Sequence, residues 1–271
     1  MKKKTILIIT AVLGLVVIIL IGTMLLPKNN GKFKDVNEMI EDSSTGVFNH
    51  YFVNYDTNSK LIYLSGNCRC FSPLYSYGTE DSLHIETIDE YKIEEKSNKE
   101  RLVADDENTK YTIGSNLNLY ITYDIIGNIV YLKNQYNIVP LYNAQGLPMK
   151  IDEFKNSKKK YNERFKVVSE KYNNSSQEYN YKDIGTAYYD ILTNIVYIFN
   201  GENICAAINS QGKAMNVDEF NVNNKKERFK KTGDEYNGEV TYYDTITKVV
   251  YLTGKHYMAP LYKDSYNIEI K

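Results

Sequence analysis

The residues best placed to do chemistry are four aspartates, Asp56, Asp124, Asp190 and Asp244. Each follows a tyrosine, and each is followed seven residues later by another, Tyr63, Tyr131, Tyr197 and Tyr251. Carboxylates that recur in one setting can ligate calcium or act as general acids and bases. An aspartate at the first position of a turn also accepts backbone N–H bonds two or three residues on. That role explains the placement without a further partner, so the turn is the simpler reading, and the ligand or acid role stays open beside it. Other reactive groups are sparser. His50, His84 and His256 stand in different contexts, so no histidine set recurs. No Gly-x-Ser-x-Gly, phosphate loop or His-Glu-x-x-His occurs. Asp105-Asp106-Glu107 lacks the glycine turn and downstream glutamate of a calcium loop. Cys68 and Cys70 lie too close for an unstrained bridge, and with Cys205 they fall short of a metal set. Cys205 could pair with one of them across the chain, although lone thiols are the simpler reading. Catalytic residues are therefore unknown at this level, and neither cofactor nor metal is expected.

The elements that hold the aspartates repeat with them. Val240-Thr241-Tyr242-Tyr243 and Val249-Val250-Tyr251-Leu252 are β-branched and aromatic, the composition of strands, and the few polar residues between them predict a hairpin. A type I turn with a following bulge needs φ > 0 just before the second strand. Lys60, Asn128, Asn194 and Lys248 hold that place; asparagine suits it and lysine suits it poorly. Pro73-Leu74-Tyr75, Pro140-Leu141-Tyr142 and Pro260-Leu261-Tyr262 follow each hairpin, with Ala206-Ala207-Ile208 in the third copy. They predict a third strand, which ends in a glycine turn at Gly146 and Gly212. Arg101-Leu102, Arg164-Phe165 and Arg228-Phe229 then open the next unit as a first strand.

Most of the chain after residue 45 resembles a small bacterial family of β-rich modules of unknown function, as about four divergent tandem copies, and units three and four are most like it. Its pattern runs Arg-Phe, Asp-x-x-Thr-Gly-Val-x-Tyr-Leu, Pro-Leu and Asp-x-x-Gly-Lys-Pro. The matching residues are Arg164-Phe165, Asp190, Thr193, Ile195, Tyr197, Gly212 and Lys213 in one unit, and Arg228-Phe229, Asp244, Thr247, Val249, Tyr251, Pro260 and Leu261 in the other. The family's turn glycine is replaced in all four copies, by Lys60, Asn128, Asn194 and Lys248. The resemblance implies a fold and carries no activity.

Ahead of the units, residues 5–26 contain no charge and are almost wholly apolar. Such a run is long enough to cross a hydrocarbon core of roughly 30 Å as a helix. It outlasts a cleavable signal core of about 7–15 residues, and Gly22-Thr23-Met24 is a poor cleavage site. A single-pass anchor contacting the bilayer through residues 5–26 is expected. Lys2, Lys3 and Lys4 before it nearly balance Lys28, Lys32 and Lys34 after it. The short basic N-terminus, with its free amine, places the C-terminal part outside the cytoplasm. The expected organisation is an anchor over residues 1–30, a spacer over 31–46 with a short helix around 35–40, and β units over 47–95, 96–155, 156–221 and 222–271. Lys/Asn/Glu-rich segments between units read as exposed loops or short helices preceded by Asp-Glu-aromatic triplets: Asp89-Glu90-Tyr91, Asp152-Glu153-Phe154 and Asp218-Glu219-Phe220.

The fold class expected is mainly β: tandem small antiparallel β-meander modules after one N-terminal transmembrane helix. Units of this size bury little core alone and must pack on one another. A four-bladed propeller ranks second, because propeller blades usually carry four strands each. With 33 basic and 34 acidic residues interspersed, no strong field favours nucleic acid. The 26 tyrosines against 9 phenylalanines could stack on sugars; half-buried strand residues with a wet hydroxyl are the commoner case. Four quasi-equivalent units favour a binding or structural module at the cell envelope, facing an envelope polymer or another envelope protein. The alternative is an envelope-directed enzyme with its site between units.

Overall fold

The computed structural model describes residues 33–41, 50–65, 71–78, 82–93, 100–105, 109–113, 117–134, 137–157, 163–171, 180–181, 184–200, 203–221, 227–236, 239–254 and 257–271. The expected anchor lies outside them. Among the described residues no helix is long and apolar enough to cross a membrane.

Residues 33–271 form one compact unit. It is mainly β, 57% strand and 11% helix, with small antiparallel sheets in a four-blade propeller-like arrangement. Blade 1 is the sheet β1 (Phe33–Glu41), β2 (His50–Asp56), β3 (Ile62–Ser65) and β4 (Phe71–Pro73), in that order. Blade 2 orders β7 (Leu102–Ala104), β9 (Leu117–Asp124), β10 (Ile129–Lys133) and β11 (Ile138–Pro140), and β8 (Lys110–Ile113) also pairs with β9. Blade 3 repeats this with β12 (Phe165–Val167), β14 (Gly185–Asp190), β15 (Val196–Asn200) and β16 (Asn203–Ala206), and β13 (Asn180–Tyr181) beside β14. Blade 4 is β17 (Phe229–Tyr236), β18 (Glu239–Asp244), β19 (Val250–Gly254) and β20 (Tyr257–Pro260). The last strand of every blade lies at the centre: β4 touches β11 and β20, and β16 touches the same two.

Burial follows this radial order. The inner strand β10 is buried at all five positions, because neighbouring blades cover both its faces. The outer strand β8 alternates exposed and buried, Lys110 and Thr112 out, Tyr111 and Ile113 in. Outer strands are irregular in every blade. β1 and β17 shift register midway, and the outer strand of blades 2 and 3 is split into two pieces. Interruptions of this kind blunt an edge that would otherwise template further pairing.

Each blade is an antiparallel meander as expected, with one strand more than the three read from the sequence, and the propeller-like arrangement, ranked second, takes the place of a tandem array. The added strand also corrects the reading of the spacer. The segment expected to form a helix around 35–40 is strand β1, pairing Phe33 with Asp56 and Ile40 with Tyr51. The Asp-Glu-aromatic triplets lie inside helices rather than before them: α1 (Ile88–Ile93), α2 (Ile151–Asn156) and α4 (Val217–Asn221), with α3 (Val168–Lys171) between β12 and β13. Tyr91, Phe154 and Phe220 are the buried faces of these short helices.

After each innermost strand the chain crosses one end of the blade and returns by the same three bonds. In blade 2, Leu141 N donates to Val130 O at 2.8 Å, Met149 N to Leu141 O at 2.7 Å and Val130 N to Met149 O at 2.9 Å. Leu74, Ile62 and Glu86 in blade 1, Ala207, Val196 and Met215 in blade 3, and Leu261, Val250 and Glu269 in blade 4 repeat the circuit. In blade 1 this return is regular enough to form the hairpin β5 (Tyr75–Tyr77) and β6 (Leu83–Ile85). Gly146 sits in the blade 2 return at φ 74°, where a Cβ would lie 2.3 Å from Ala214 O of blade 3.

The blades are joined by their repeated tyrosines. Tyr63, Tyr131, Tyr197 and Tyr251 are fully buried rather than half-wet. Each hydroxyl accepts a backbone N–H from the return segment of the preceding blade. Tyr75 N reaches Tyr131 Oη at 3.2 Å, Tyr142 N reaches Tyr197 Oη at 3.0 Å, and Ile208 N reaches Tyr251 Oη at 2.9 Å. Tyr262 N closes the circle on Tyr63 Oη at 3.3 Å. At the axis the Tyr75 hydroxyl shares a hydrogen bond with the Tyr262 hydroxyl at 2.5 Å, while blade 2 contributes the buried Tyr142 and blade 3 Ile208.

Burial first, and then neighbouring negative charge, pushes the Tyr63, Tyr131, Tyr197 and Tyr251 phenols well above their ordinary range, against a lowering by the backbone donors. The unfolded chain's phenols ionise near pH 10, below the folded ones. Stability is therefore full below about pH 10 and is lost as pH rises further. Phenolate absorbance from these side chains should emerge together with loss of the β circular-dichroism signal; free titration in the folded state would contradict the burial. Tyr197→Phe should cost about 1–3 kcal/mol, because it orphans the buried Tyr142 N–H, and a urea melt would register it.

Candidate functional site

The four aspartate turns have the expected backbone. Lys60, Asn128, Asn194 and Lys248 have φ of 64°, 56°, 61° and 67°. In the turns of blades 1, 3 and 4 the N–H of that residue donates to the aspartate carbonyl, as Asn194 N does to Asp190 O at 2.7 Å and Lys248 N to Asp244 O at 2.8 Å. The side chains close the turn as well. Asp56 Oδ1 accepts Asn58 N at 2.8 Å, Asp124 Oδ1 accepts Gly127 N at 2.9 Å, Asp190 Oδ1 accepts Leu192 N at 3.0 Å and Asp244 Oδ1 accepts Ile246 N at 2.8 Å. The turn role read from the sequence is present in all four blades.

The sequence did not reveal a second role for the aspartates of blades 2, 3 and 4. The arginine before each first strand folds back onto the aspartate that ends the second. Arg101 places Nε 3.0 Å from Asp124 Oδ1 and Nη2 2.7 Å from Oδ2. Arg164 does the same on Asp190 at 3.0 and 2.6 Å. Arg228 directs Nε and Nη2 onto Asp244 Oδ2 at 2.9 and 2.7 Å. All six groups are buried. Strand register produces the pairing: Leu102, Phe165 and Phe229 stand opposite Asp124, Asp190 and Asp244, so the preceding arginine lies beside the carboxylate. A signal was available in the sequence, since the arginine and the aspartate recur together in units two, three and four. In unit one Lys32 precedes Phe33 in the same order, and it lies outside the described residues.

Each guanidinium also reaches the preceding blade, at its return segment, its outer strand or its helix. Arg101 forks onto Glu86, with Nη1 3.0 Å from Oε2 and Nη2 2.6 Å from Oε1. Arg164 donates to the Tyr111 hydroxyl at 3.2 Å. Arg228 donates to Phe220 O at 2.6 Å and stacks 4.0 Å over the Phe220 ring. Burial works against these charges. For Arg101 and Arg164 the facing carboxylates outweigh it and hold the guanidinium above its usual range. These carboxylates are neutralised, bonded and shut off from solvent, which leaves them no open face for a substrate or a calcium ion.

The other candidates are scattered. His84 in β6 places Nε2 3.3 Å from Glu90 Oε1 and Nδ1 3.3 Å from Ser82 O. His50 lies in β2, far along the strand from Asp56, and His256 lies outside the described residues. Cys68 and Cys70 also lie outside them. Cys205 is a buried free thiol in β16, pushed far up from its ordinary value by burial. It lines an axial cavity of about 10 Å³ with Ser72, Tyr142 and Met258. That is room for about one water. Asp105, singled out with its acidic neighbours, is buried and accepts the hydroxyls of Tyr123 and Thr109. Among the described residues no group of three or more His, Cys, Asp or Glu could hold a metal ion. Comparison with protein-family models, curated proteins and solved structures found no match.

The two roles of the aspartate separate by substitution. Asp244→Ala removes both the turn acceptor and the counter-charge of Arg228 and should cost about 3–5 kcal/mol, the range for stripping one partner from a buried pair. Asp244→Asn keeps the acceptor and should fall between. Lys248→Gly should instead raise the urea midpoint, by the equivalent of about 1 kcal/mol, since glycine adopts that φ without strain. A neutral Asp244→Ala would refute the ion-pair role.

Proposed function

We propose that this chain is a membrane-tethered propeller whose blades stand outside the cytoplasm and serve as a binding or structural module at the cell envelope. The observation that carries the reading is the uncharged run of residues 5–26 ahead of the blades. Its length matches a hydrocarbon core, and its composition leaves no charge to be desolvated on insertion. The blades contribute the second half of the reading. Their recurring Asp, Arg and Tyr side chains are buried in turns and blade seams, so contact with other molecules falls to the exposed turns and loops. In this reading each blade is one copy of the small β module that the Arg-Phe and Asp-to-Tyr pattern resembles. The partner class is an envelope polymer or a second envelope protein.

Protease added to intact cells should remove the C-terminal part and leave a short membrane-bound stub; full protection, lost on lysis, would reverse the orientation. Purified full-length chain in detergent should sediment with isolated envelope polymer. Release of soluble fragments from that polymer would instead identify an enzyme.

A further inference from the structure

The innermost strands set equivalent residues around the axis. Pro73, Pro140, Ala206 and Pro260 stand opposite the four seam tyrosines. Ser72, Val139, Cys205 and Ala259 therefore share one position of the repeat, and Phe71, Ile138, Ile204 and Met258 share the position before it. Val139 and Ala259 show that the first position needs no heteroatom; Phe71, Ile138 and Ile204 show the same for the second. Ser72, Cys205 and Met258 nevertheless carry a hydroxyl, a thiol and a thioether, and all three line the axial cavity of about 10 Å³.

Strand alternation aims these groups. Residues directly opposite in an antiparallel pair share a face, and successive residues alternate. Tyr197 and Tyr251 turn toward the blade before their own. Met258, two residues from Pro260, turns with Tyr251 toward blade 3. Cys205, one residue from Ala206, turns away from Tyr197 and toward blade 4. Thiol and thioether thus enter one seam from its two sides. The Cys205 thiol is free and donates to Ala206 O at 3.3 Å. Blade 1 adds Ser72, which is 2% exposed and whose Oγ is buried without a hydrogen-bond partner. A buried hydroxyl of that kind calls for something in the cavity to bond.

We propose that the axial cavity is a site for one soft monovalent metal ion, of the copper(I) class, held by Cys205 Sγ and Met258 Sδ with Ser72 Oγ beside them. Thiolate and thioether ligands select such an ion over the harder divalent ones. Among the described residues no carboxylate or imidazole lines the cavity to hold those instead. Charge makes the same choice. Burial pushes the Cys205 thiol far above its ordinary range and keeps it protonated. A monovalent ion replaces that proton one for one: the S–H bond breaks, the proton leaves to solvent, an S–metal bond forms, and the cavity stays neutral. A divalent ion would leave a net positive charge buried without a counter-ion, which is costly. Room for about one water is also room for one bare ion. The site joins blades 3, 4 and 1 and is independent of the membrane-anchored reading.

Silver(I) is the probe, because it shares the charge and softness of copper(I) and needs no reductant. Full-length chain carrying Cys68→Ser and Cys70→Ser, which leaves Cys205 as its only thiol, would be refolded from urea in detergent and chloride-free buffer, with and without silver(I). One ion should bind per chain, one proton should be released for each, and the urea midpoint should rise. X-ray absorption should place two sulfurs around the ion. Met258→Leu conserves side-chain volume; it should leave the circular-dichroism spectrum unchanged and weaken binding by about ten-fold or more, since one of two sulfur ligands is lost. Cys205→Ser should abolish binding. A folded chain that takes up no silver overturns the site. So does binding that Met258→Leu leaves unchanged, which is a thiol acting alone, or binding that lowers the midpoint.

Discussion

A phenol hydroxyl accepting a neighbour's backbone amide is the contact on which this molecule depends. Each blade is a sheet of four short strands, too small to bury a core of its own. Its inner strands become interior only when other blades cover their two faces. The tyrosine seven residues past the aspartate makes that covering specific. It fills the space between blades with a large apolar ring and ends in one polar atom, and the amide it meets would otherwise be buried without a partner. The circle from Tyr131 through Tyr197 and Tyr251 to Tyr63 repeats one contact across every seam, including the seam between the last blade and the first.

The arginine–aspartate pairs reinforce the same seams from farther out. A buried ion pair adds little net stability where an apolar pair could replace it, yet it punishes a wrong neighbour severely. Arg101, Arg164 and Arg228 each satisfy an aspartate of their own blade and a group of the blade before. A blade docked out of order or out of register would strand a guanidinium in the interior. The pairs thus specify which blade sits beside which, and the tyrosines hold the result together.

The local half of this architecture was legible in the sequence. The aspartate turn was readable because everything it needs lies within five residues, and the left-handed position could be assigned to lysine in two blades against that residue's own preference. The fourth strand of each blade and the closed ring were not. Val36, Met39 and Ile40 lie at helical spacing in the stretch that forms β1, and its strand partner β2 begins only at His50. Locally the arginines read as strand openers alone, since their aspartates are 16 to 26 residues away. The tyrosines read as half-wet because their amide partners lie 43 to 199 residues distant. Contacts at that range depend on how many units close the circle, which no single unit records.

That number is itself fixed at the axis. The seam contact joins any blade to the next and does not count them. What counts them is the buried plug of Tyr75, Tyr142, Ile208 and Tyr262, one side chain from each blade, with Tyr75 bonded to Tyr262. A fifth copy of the repeat would widen the circle and leave this plug too small for its hole, while a loss of one would crowd the three remaining side chains into less space. Gene duplication of a blade, the simplest way for such a chain to grow, is therefore blocked by steric arithmetic at the centre. A new stoichiometry would require new residues at these four positions first.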